Sequence, residues 1–214
     1  MSLYFLYLNL LEVLGHQHWW PAESPFEVMV GAILTQQTRW ESVERAIGCL
    51  KRKGLLSPEM LALAGDDEIR ECVRCTGFYN QKTKRLKTLA MFVAEVGEQR
   101  LYAMSKEELR SALLSLEGVG YETADSIILY AAEKPSFVVD AYTHRILSCM
   151  GIEGSYDELK QMFEMNLPED VEVYKEFHAL IVAFAKRFCN RKRCGECPIP
   201  SWPEPKLKVK GEHP

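Results

Sequence analysis

Apolar residues recur every three to four positions along most of this chain, which is the spacing of amphipathic α-helices. The segment SPFEVMVGAIL begins with Ser24 and Pro25, two residues typical of a helix start. In SKEELRSALLSL, Ser105 stands three residues before Glu108, which is the spacing of a capping box. Strand-like character is limited to the short run 136–139. The pattern therefore predicts an all-α fold.

Two glycines interrupt the helical pattern in LEGVGYETADSI, residues 116–127. One helix is expected to end as this stretch begins, and a second is expected to run over about 121–132. The turn Gly118-Val119-Gly120 would place three consecutive amides at a helix N-terminus, where a phosphate diester binds. Val119 would fill the space between the two helices. The alternative is a plain helical hairpin with a glycine C-cap.

A carboxylate follows the second helix of this hairpin after one short connection. The run FVVDAYTHRIL carries the chain to Asp140, and a new helix is expected to begin directly after it. One interpretation of Asp140 is as the N-cap of that helix. The other is as a functional acid that faces the same cleft as the glycine turn.

Composition and charge place these motifs in an ordinary globular chain with a basic tail. The chain has 214 residues, of which 47% are hydrophobic and 26% charged. Between Lys186 and Lys210, eight basic residues against two acidic ones give +6, which leaves −10 for the rest of a chain whose total is −4. Such a tail favours a polyanionic partner, and the alternative is a solvated tail.

The seven cysteines are an odd number, and neither a signal-peptide pattern nor a run of membrane-spanning length accompanies them. We therefore expect a cytoplasmic protein with no membrane partner. Its thiols are expected to be reduced or metal-bound rather than disulfide-bonded.

Taken together, LEGVGYETA and VVDAYTHRIL resemble the helix-hairpin-helix and Gly/Pro-Asp motif of the endonuclease III superfamily of DNA glycosylases, called HhH-GPD. The resemblance extends through GAILTQQT and CTGFYNQKTKRL to the cysteines near the C-terminus. It implies two helical domains, residues 21–134 with the hairpin and residues 1–20 plus 135–214 with Asp140 and the basic tail. Double-stranded DNA would lie in a cleft between the domains, with the damaged nucleotide flipped into it.

The resemblance also implies roles for individual residues. Asp140 matches the catalytic aspartate, which stabilises positive charge on the sugar as the glycosidic bond breaks. Either Gln36 or Gln37 matches the polar residue that fills the gap left by the flipped base, and the alternative is a buried amide satisfied by backbone. Tyr79 and Asn80 match a loop that contacts the DNA backbone, unless Tyr79 only packs. The other residues predicted to bind DNA are Gly118, Val119 and Gly120 in the turn, and Arg191, Lys192 and Arg193 in the basic tail.

Glu122 departs from the family pattern. In bifunctional members this position is a lysine, whose amine forms a Schiff base with the sugar and cleaves the strand. No lysine occurs between Lys106 and Lys134 in this chain. The sequence therefore resembles the monofunctional branch, which releases the base with water and leaves an abasic site. The alternative role of Glu122 is to favour the helix dipole from the first turn.

The segment from HWWP to TQQTRW resembles the 3-methyladenine glycosylases of the superfamily. This resemblance implies a base pocket formed by Trp20 and Trp40, to which we add Glu122. A cationic alkylated purine over an indole face gains about 1–2 kcal/mol. The alternative is that both tryptophans fill the core, which is the role expected for Trp19.

The predicted function is therefore a monofunctional DNA glycosylase of base-excision repair, acting as a nucleoid-associated monomer on alkylated purines such as 3-methyladenine. One alternative is an endonuclease III-like enzyme that acts on oxidised pyrimidines with weak or absent lyase activity. The other is a non-catalytic helix-hairpin-helix DNA-binding protein. Asp140 argues against this last alternative, because a protein that only binds has no use for a carboxylate in a phosphate-lined cleft.

Three cysteines near the C-terminus, Cys189, Cys194 and Cys197, resemble the family's C-x6-C-x2-C-x5-C loop for a [4Fe–4S] cluster. The spacing here is C-x4-C-x2-C, and Pro203 stands where the fourth cysteine is expected. Zinc held by these thiolates with another ligand, or no metal, are the alternatives. Core positions are expected for the other four cysteines, Cys49, Cys72, Cys75 and Cys149.

Overall fold

The computed structural model describes residues 3–190 and 194–199, and the regular structure of this part is entirely helical. The predicted all-α class is confirmed, and the run 136–139 is extended chain rather than a strand. Twelve α-helices are described: α1 Leu3–Leu14, α2 Pro25–Leu34, α3 Trp40–Arg52, α4 Pro58–Leu63, α5 Asp66–Val73, α6 Tyr79–Val96, α7 Glu98–Ala103, α8 Lys106–Leu114, α9 Tyr121–Tyr130, α10 Ala141–Cys149, α11 Tyr156–Asn166 and α12 Val171–Arg187. Short 3₁₀ turns lie at Arg74–Thr76 and Cys194–Glu196.

The chain divides into two compact units, which we call the hairpin unit, Ala22–Lys134, and the aspartate unit, Met1–Pro21 with Pro135–Pro214. The hairpin unit is organised around α2, which is buried from Phe26 through Leu34 and packs against α3, α6 and α9. A helix buried on every side is apolar rather than amphipathic, and the one charged residue of α2, Glu27, pairs with Lys51 at 3.0 Å. α2 gives α3, α6 and α9 a common core to pack against.

The aspartate unit is organised around α12, which packs against α1 and α10. Its core is aromatic: the rings of Phe137 and Phe163 are stacked with centroids 3.9 Å apart, and Phe177 meets both at steep angles. Phe137 lies in the extended run that leads to Asp140. The packing of this run against α11 and α12 therefore fixes where α10 begins.

The helix starts follow the predicted chemistry. The Ser24 hydroxyl accepts the Glu27 amide at 3.1 Å, and Ser105 and Glu108 form the capping box that their spacing predicted. The second helix of the hairpin ends at Tyr130, two residues before the predicted end.

The cysteine expectations need correction at two pairs of positions. Cys75 and Cys149 are exposed rather than in the core. Cys49 of α3 and Cys72 of α5 form a disulfide, because the packing of these two helices brings their Cα atoms to 5.2 Å. The prediction of reduced or metal-bound thiols is therefore wrong for Cys49 and Cys72. Among the described helices, none has the length and hydropathy needed to cross a membrane.

Candidate DNA-binding and catalytic residues

The glycine turn of the hairpin unit depends on a left-handed backbone at Gly118, whose φ is +83°. A Cβ atom at this position would overlap the side chain of Arg85. Val119 is buried, as expected for a residue between the two helices, and its amide donates to the Leu116 carbonyl at 3.1 Å. The prediction of three amides available to an anion is therefore wrong for the Val119 amide, which is used within the turn.

The Gln36 side chain ties the end of α2 to the hairpin. Its amide nitrogen donates to the Gly118 carbonyl at 3.1 Å and to the Thr123 hydroxyl at 3.0 Å. Its amide oxygen accepts a hydrogen bond from the Arg85 guanidinium at 2.5 Å. These contacts match the alternative of a satisfied amide for Gln36. The neighbouring Gln37 is exposed, with φ of +53°, and is the better placed of the two to reach a ligand.

The start of α6 presents three consecutive side chains in different ways: Phe78 is the N-cap residue, and Tyr79 and Asn80, predicted to lie in a loop, are the first residues of the helix. Phe78 is 61% exposed with φ of +45°, Tyr79 is half-buried, and Asn80 is exposed. The Arg74 guanidinium lies 5.8 Å from the centre of the Tyr79 ring. Tyr79 thus partly packs, as the alternative proposed. Phe78 was not among the predicted site residues, although a large apolar side chain directly after a glycine is a signal that could have drawn attention to it.

Lys82 is fully buried on α6, four residues after Phe78. Its ammonium donates to the Leu34 carbonyl at 2.9 Å, the Thr76 carbonyl at 2.9 Å and the Thr38 hydroxyl at 2.5 Å. Burial, and then the nearby Arg85, lowers the pKa of Lys82 to about 8. All three ammonium hydrogens have an acceptor, so this lysine joins the end of α2 to the loop before α6.

Glu122 is exposed at the second position of α9, where Gly120 is the N-cap residue. An acid in a first helical turn is favourable towards the positive end of the helix dipole. Glu122 stands two residues after Gly120, at the position that resembles the lysine of bifunctional glycosylases.

Asp140 is the N-cap of α10, as the first interpretation proposed. Its Oδ1 accepts both the Thr143 amide at 2.7 Å and the Thr143 hydroxyl at 2.9 Å. The residue is 8% exposed, and its Oδ2 lies 3.7 Å from Nε2 of His178 on α12. The cap uses one carboxylate oxygen, so capping does not exclude a second role for the other.

Two tryptophans lie in the segment before α2, within the aspartate unit. Trp19 and Trp20 are half-buried with ring centroids 5.8 Å apart, and the peptide bond between them is cis. The Trp19 ring is 5.7 Å from the His178 ring. Trp40, the first residue of α3 in the hairpin unit, is also half-buried. Partial burial is compatible with a surface that stacks on a ligand. Trp19 packs against His178 but is half-buried, so it does not lie in the core as expected.

The sequence pattern that defines the HhH-GPD superfamily of base excision DNA repair proteins matches residues 30–169. The chain belongs to this superfamily. A Methanocaldococcus jannaschii protein named as a DNA repair glycosylase, MJ1434, is 50% identical over 205 residues, 92% of this chain and 93% of that protein. The endonuclease III of Thermotoga maritima is 29% identical over 177 residues, 81% of this chain and 79% of that protein.

Solved structures of HhH-GPD enzymes share the fold. The 3-methyladenine DNA glycosylase MagIII of H. pylori, bound to 1,N6-ethenoadenine, has a TM-score of 0.76 at 30% identity, covering 87% of this chain and 98% of that one. A non-covalent complex of endonuclease III with DNA has a TM-score of 0.76 at 19% identity, covering 93% and 92%. The prediction of an HhH-GPD DNA glycosylase is confirmed at this level.

The cysteine set does not match the HhH-GPD cluster loop in full. Cys189 and Cys197 are half-buried, and the backbone of Cys194 begins the 3₁₀ turn. Pro203, in the place of the fourth cysteine, and the predicted phosphate contacts Arg191, Lys192 and Arg193 lie outside the described residues. Four thiolates normally hold a [4Fe–4S] cluster, and the sequence supplies three here. These residues alone therefore do not complete a cluster site.

Proposed function

We propose that this chain is a monofunctional DNA glycosylase, which releases a damaged base with water and leaves an abasic site. The observation that carries this proposal is Glu122, which stands two residues after Gly120 of the glycine turn. A carboxylate cannot form the Schiff base through which a lyase cleaves the strand. The next lysines along the chain on either side are Lys106 and Lys134.

Lys82 is the lysine whose pKa of about 8 would otherwise suit an amine nucleophile. Its ammonium is buried and held by three oxygens from the end of α2, Thr38 and Thr76. An attack on a sugar would require all three hydrogen bonds to break. Its contacts therefore support a structural role, in agreement with a glycosylase that lacks a lyase step.

Binding and chemistry are divided between two sets of residues in this proposal. The glycine turn binds backbone phosphate of duplex DNA, with Gln37, Tyr79, Asn80 and the basic tail as further contacts. Asp140, in its ionised form, stabilises the positive charge that develops on the sugar as the base leaves. Its burial supports this role, because a charge acts more strongly where little water screens it. We propose that the enzyme acts as a monomer.

The substrate that we propose is an alkylated purine. MagIII, which is 30% identical to this chain, is a 3-methyladenine glycosylase. The half-buried Trp20 and Trp40 would stack on a flipped cationic base, which also leaves readily without a covalent enzyme intermediate.

The identity of the released base tests this proposal directly. Duplexes that each carry 3-methyladenine, 1,N6-ethenoadenine, an oxidised pyrimidine or a deaminated base are incubated with native protein and with Asp140→Asn, and released bases are identified by mass spectrometry. We expect Asp140-dependent release of alkylated purines and an intact abasic strand. Release of oxidised or deaminated pyrimidines alone would refute the substrate, and no release from any duplex would favour a protein that only binds DNA.

Two variants test whether Trp20 and Trp40 stack on the flipped base or only pack within the fold. Trp20→Ala and Trp40→Ala are expected to reduce release of alkylated purines while helical content and affinity for abasic DNA stay close to native. Phe5→Ala, which removes an exposed aromatic ring of α1, is the matched control. If either tryptophan variant unfolds, that tryptophan belongs to the core instead.

The role of the cysteines is open to a simple measurement. Iron, labile sulfide and zinc are measured in protein purified without chelators. Iron with sulfide would show that another ligand replaces the fourth cysteine. Zinc without iron would support the alternative of a zinc site. If the protein holds neither metal, the proposed role that remains for this segment is contact of its basic residues with phosphate.

A further inference from the structure

The second carboxylate oxygen of Asp140 faces a histidine. Nε2 of His178 lies 3.7 Å from Oδ2 of Asp140, and the two side chains are only 6% and 11% exposed. We infer that His178 is a positioning residue that holds this oxygen in place and supplies the positive charge that keeps Asp140 anionic inside the protein. The inference rests on the role proposed above for Asp140.

The two oxygens of Asp140 have different partners, and this difference carries the inference. Oδ1 already accepts two hydrogen bonds from Thr143, which completes the cap of α10. A cap needs nothing more, so His178 at Oδ2 is not explained by the helix start. A buried carboxylate is costly to keep ionised unless a cation or hydrogen-bond donors compensate it. His178 provides that cation when its imidazole is protonated.

The imidazole is buried and packed against a second ring. The His178 side chain is 6% exposed and lies on α12, whose residues from Phe177 to Val182 are all buried. The Trp19 ring packs against it with centroids 5.7 Å apart. Burial and this contact restrict the ring, which a positioning residue requires.

Other titratable groups around α12 have partners of their own. Glu176 accepts a hydrogen bond from the backbone amide of Gln17 at 2.7 Å and lies 3.7 Å from His16. Lys175 pairs with Glu172. From α1, the Tyr7 ring packs against Phe177. On α10, the titratable side chains nearest to Asp140 in sequence belong to Tyr142, which is half-buried, and to His144 and Arg145, which are exposed. Asp140 is the carboxylate that lies at ion-pair distance from His178.

The charge balance at Asp140 agrees with this geometry. Burial acts to raise the pKa of Asp140, but His178 and then Thr143 outweigh it and hold the pKa below its usual value. Removing His178 leaves the burial in place and takes away the stronger of these two influences. The pKa of Asp140 then rises, and a reaction that needs the ionised acid is lost at a higher pH on the acid side.

The pH profile of single-turnover base release in His178→Gln tests the inference. Its acid limb is expected to move up by about 1 pH unit or more, the range that a nearby opposite charge produces. Release at higher pH is expected to stay close to native, because Asp140 is then ionised in both proteins. His144→Gln, which removes an exposed histidine of α10, is the matched control and should leave the limb in place. Equal loss of rate at every pH, or an unmoved limb, would overturn the inference.

A second measurement does not need activity. With ¹³C-labelled aspartate, the Asp140 carboxyl signal is followed against pH by NMR in native protein and in His178→Gln, and its transition is expected at a higher pH in the variant. A transition at the same pH in both proteins would show that His178 does not keep Asp140 ionised. If Asp140→Asn still released bases, the proposed catalytic role of Asp140 would fail. The NMR titration would still show whether His178 and Asp140 interact.

Discussion

Lys82 and Asp140 are both buried charged residues, one in the hairpin unit and one in the aspartate unit, and their surroundings differ in kind. The Lys82 ammonium donates to three neutral oxygens, so its whole hydrogen-bonding capacity is used within the fold. Asp140 commits one oxygen to Thr143, while the other lies at 3.7 Å from His178. Burial lowers the pKa of Lys82, whereas the pKa of Asp140 is lowered in spite of burial.

This difference shows why a perturbed pKa does not by itself identify a catalytic group. At Lys82 the perturbation reflects a lysine used to join the end of α2 to the loop before α6. At Asp140 the perturbation reflects an acid that stays charged. One of its carboxylate oxygens is not used by the helix cap. The predictions below remove one group or the other and ask whether stability or chemistry is lost.

Asp140→Asn is expected to have the largest effect on chemistry. Loss of a preorganised charge from the transition state costs about 3–4 kcal/mol, which is a fall of roughly 100- to 1,000-fold in base release. Asparagine caps helices as well as aspartate does, so affinity for duplex DNA should be kept. Single-turnover release and DNA binding are measured on the same preparation. Release within a few-fold of native would remove Asp140 from the catalytic machinery.

Lys82→Met is expected to act on stability instead. It leaves the Leu34 and Thr76 carbonyls without their donor inside the protein, at a cost of about 1–3 kcal/mol in the free energy of unfolding. Urea denaturation followed by circular dichroism measures this change. Lys84→Met, at an exposed position of the same helix, should be close to neutral. If the Lys82 variant were stable but inactive, Lys82 would be functional and the comparison with Asp140 would fail.

Gly118→Ala is expected to cost about 1–2 kcal/mol, because alanine is strained at positive φ and its Cβ would meet Arg85. The matched control is Gly120→Ala in the same turn, where φ is −93° and a Cβ meets open space. Thermal unfolding of the two variants gives the comparison. If both variants lost the same stability, neither the positive φ of Gly118 nor its closeness to Arg85 would be what requires a glycine there.

The smallest expected effect is a pH dependence of stability that comes from Asp140. Because its pKa is lower in the folded protein than in the unfolded chain, ionised Asp140 stabilises the fold above its usual pKa. This contribution is lost as the pH falls through the lowered pKa. The stability difference between native protein and Asp140→Asn should therefore shrink at acid pH, as measured by urea denaturation at several pH values. A difference that grew towards acid would have the wrong sign.

Local sequence signals predicted the helical framework well. Ser24, Ser105 and Glu108 mark helix starts through hydrogen bonds between neighbours in sequence, and Asp140 was identifiable as a cap for the same reason. The glycine turn was predictable because a positive φ favours glycine at Gly118.

Contacts between distant segments were not predictable in this way. Gln36 reaches Gly118 across 82 residues, and His178 meets Asp140 from a helix that begins 31 residues later. A histidine on an apolar stripe carries little information until its neighbour on another helix is known. The pairing of Cys49 with Cys72 was missed for a similar reason, since it depends on how α3 packs against α5.

Borohydride reduction in the presence of abasic DNA tests the absence of a lyase step most directly. A Schiff base between a lysine and the sugar is reduced to a stable covalent adduct, which is visible as a shifted band in a denaturing gel. Native protein is expected to give no adduct, with an authentic bifunctional endonuclease III as the positive control. An adduct that forms efficiently with native protein, and disappears when one lysine such as Lys82 is replaced, would contradict the monofunctional assignment.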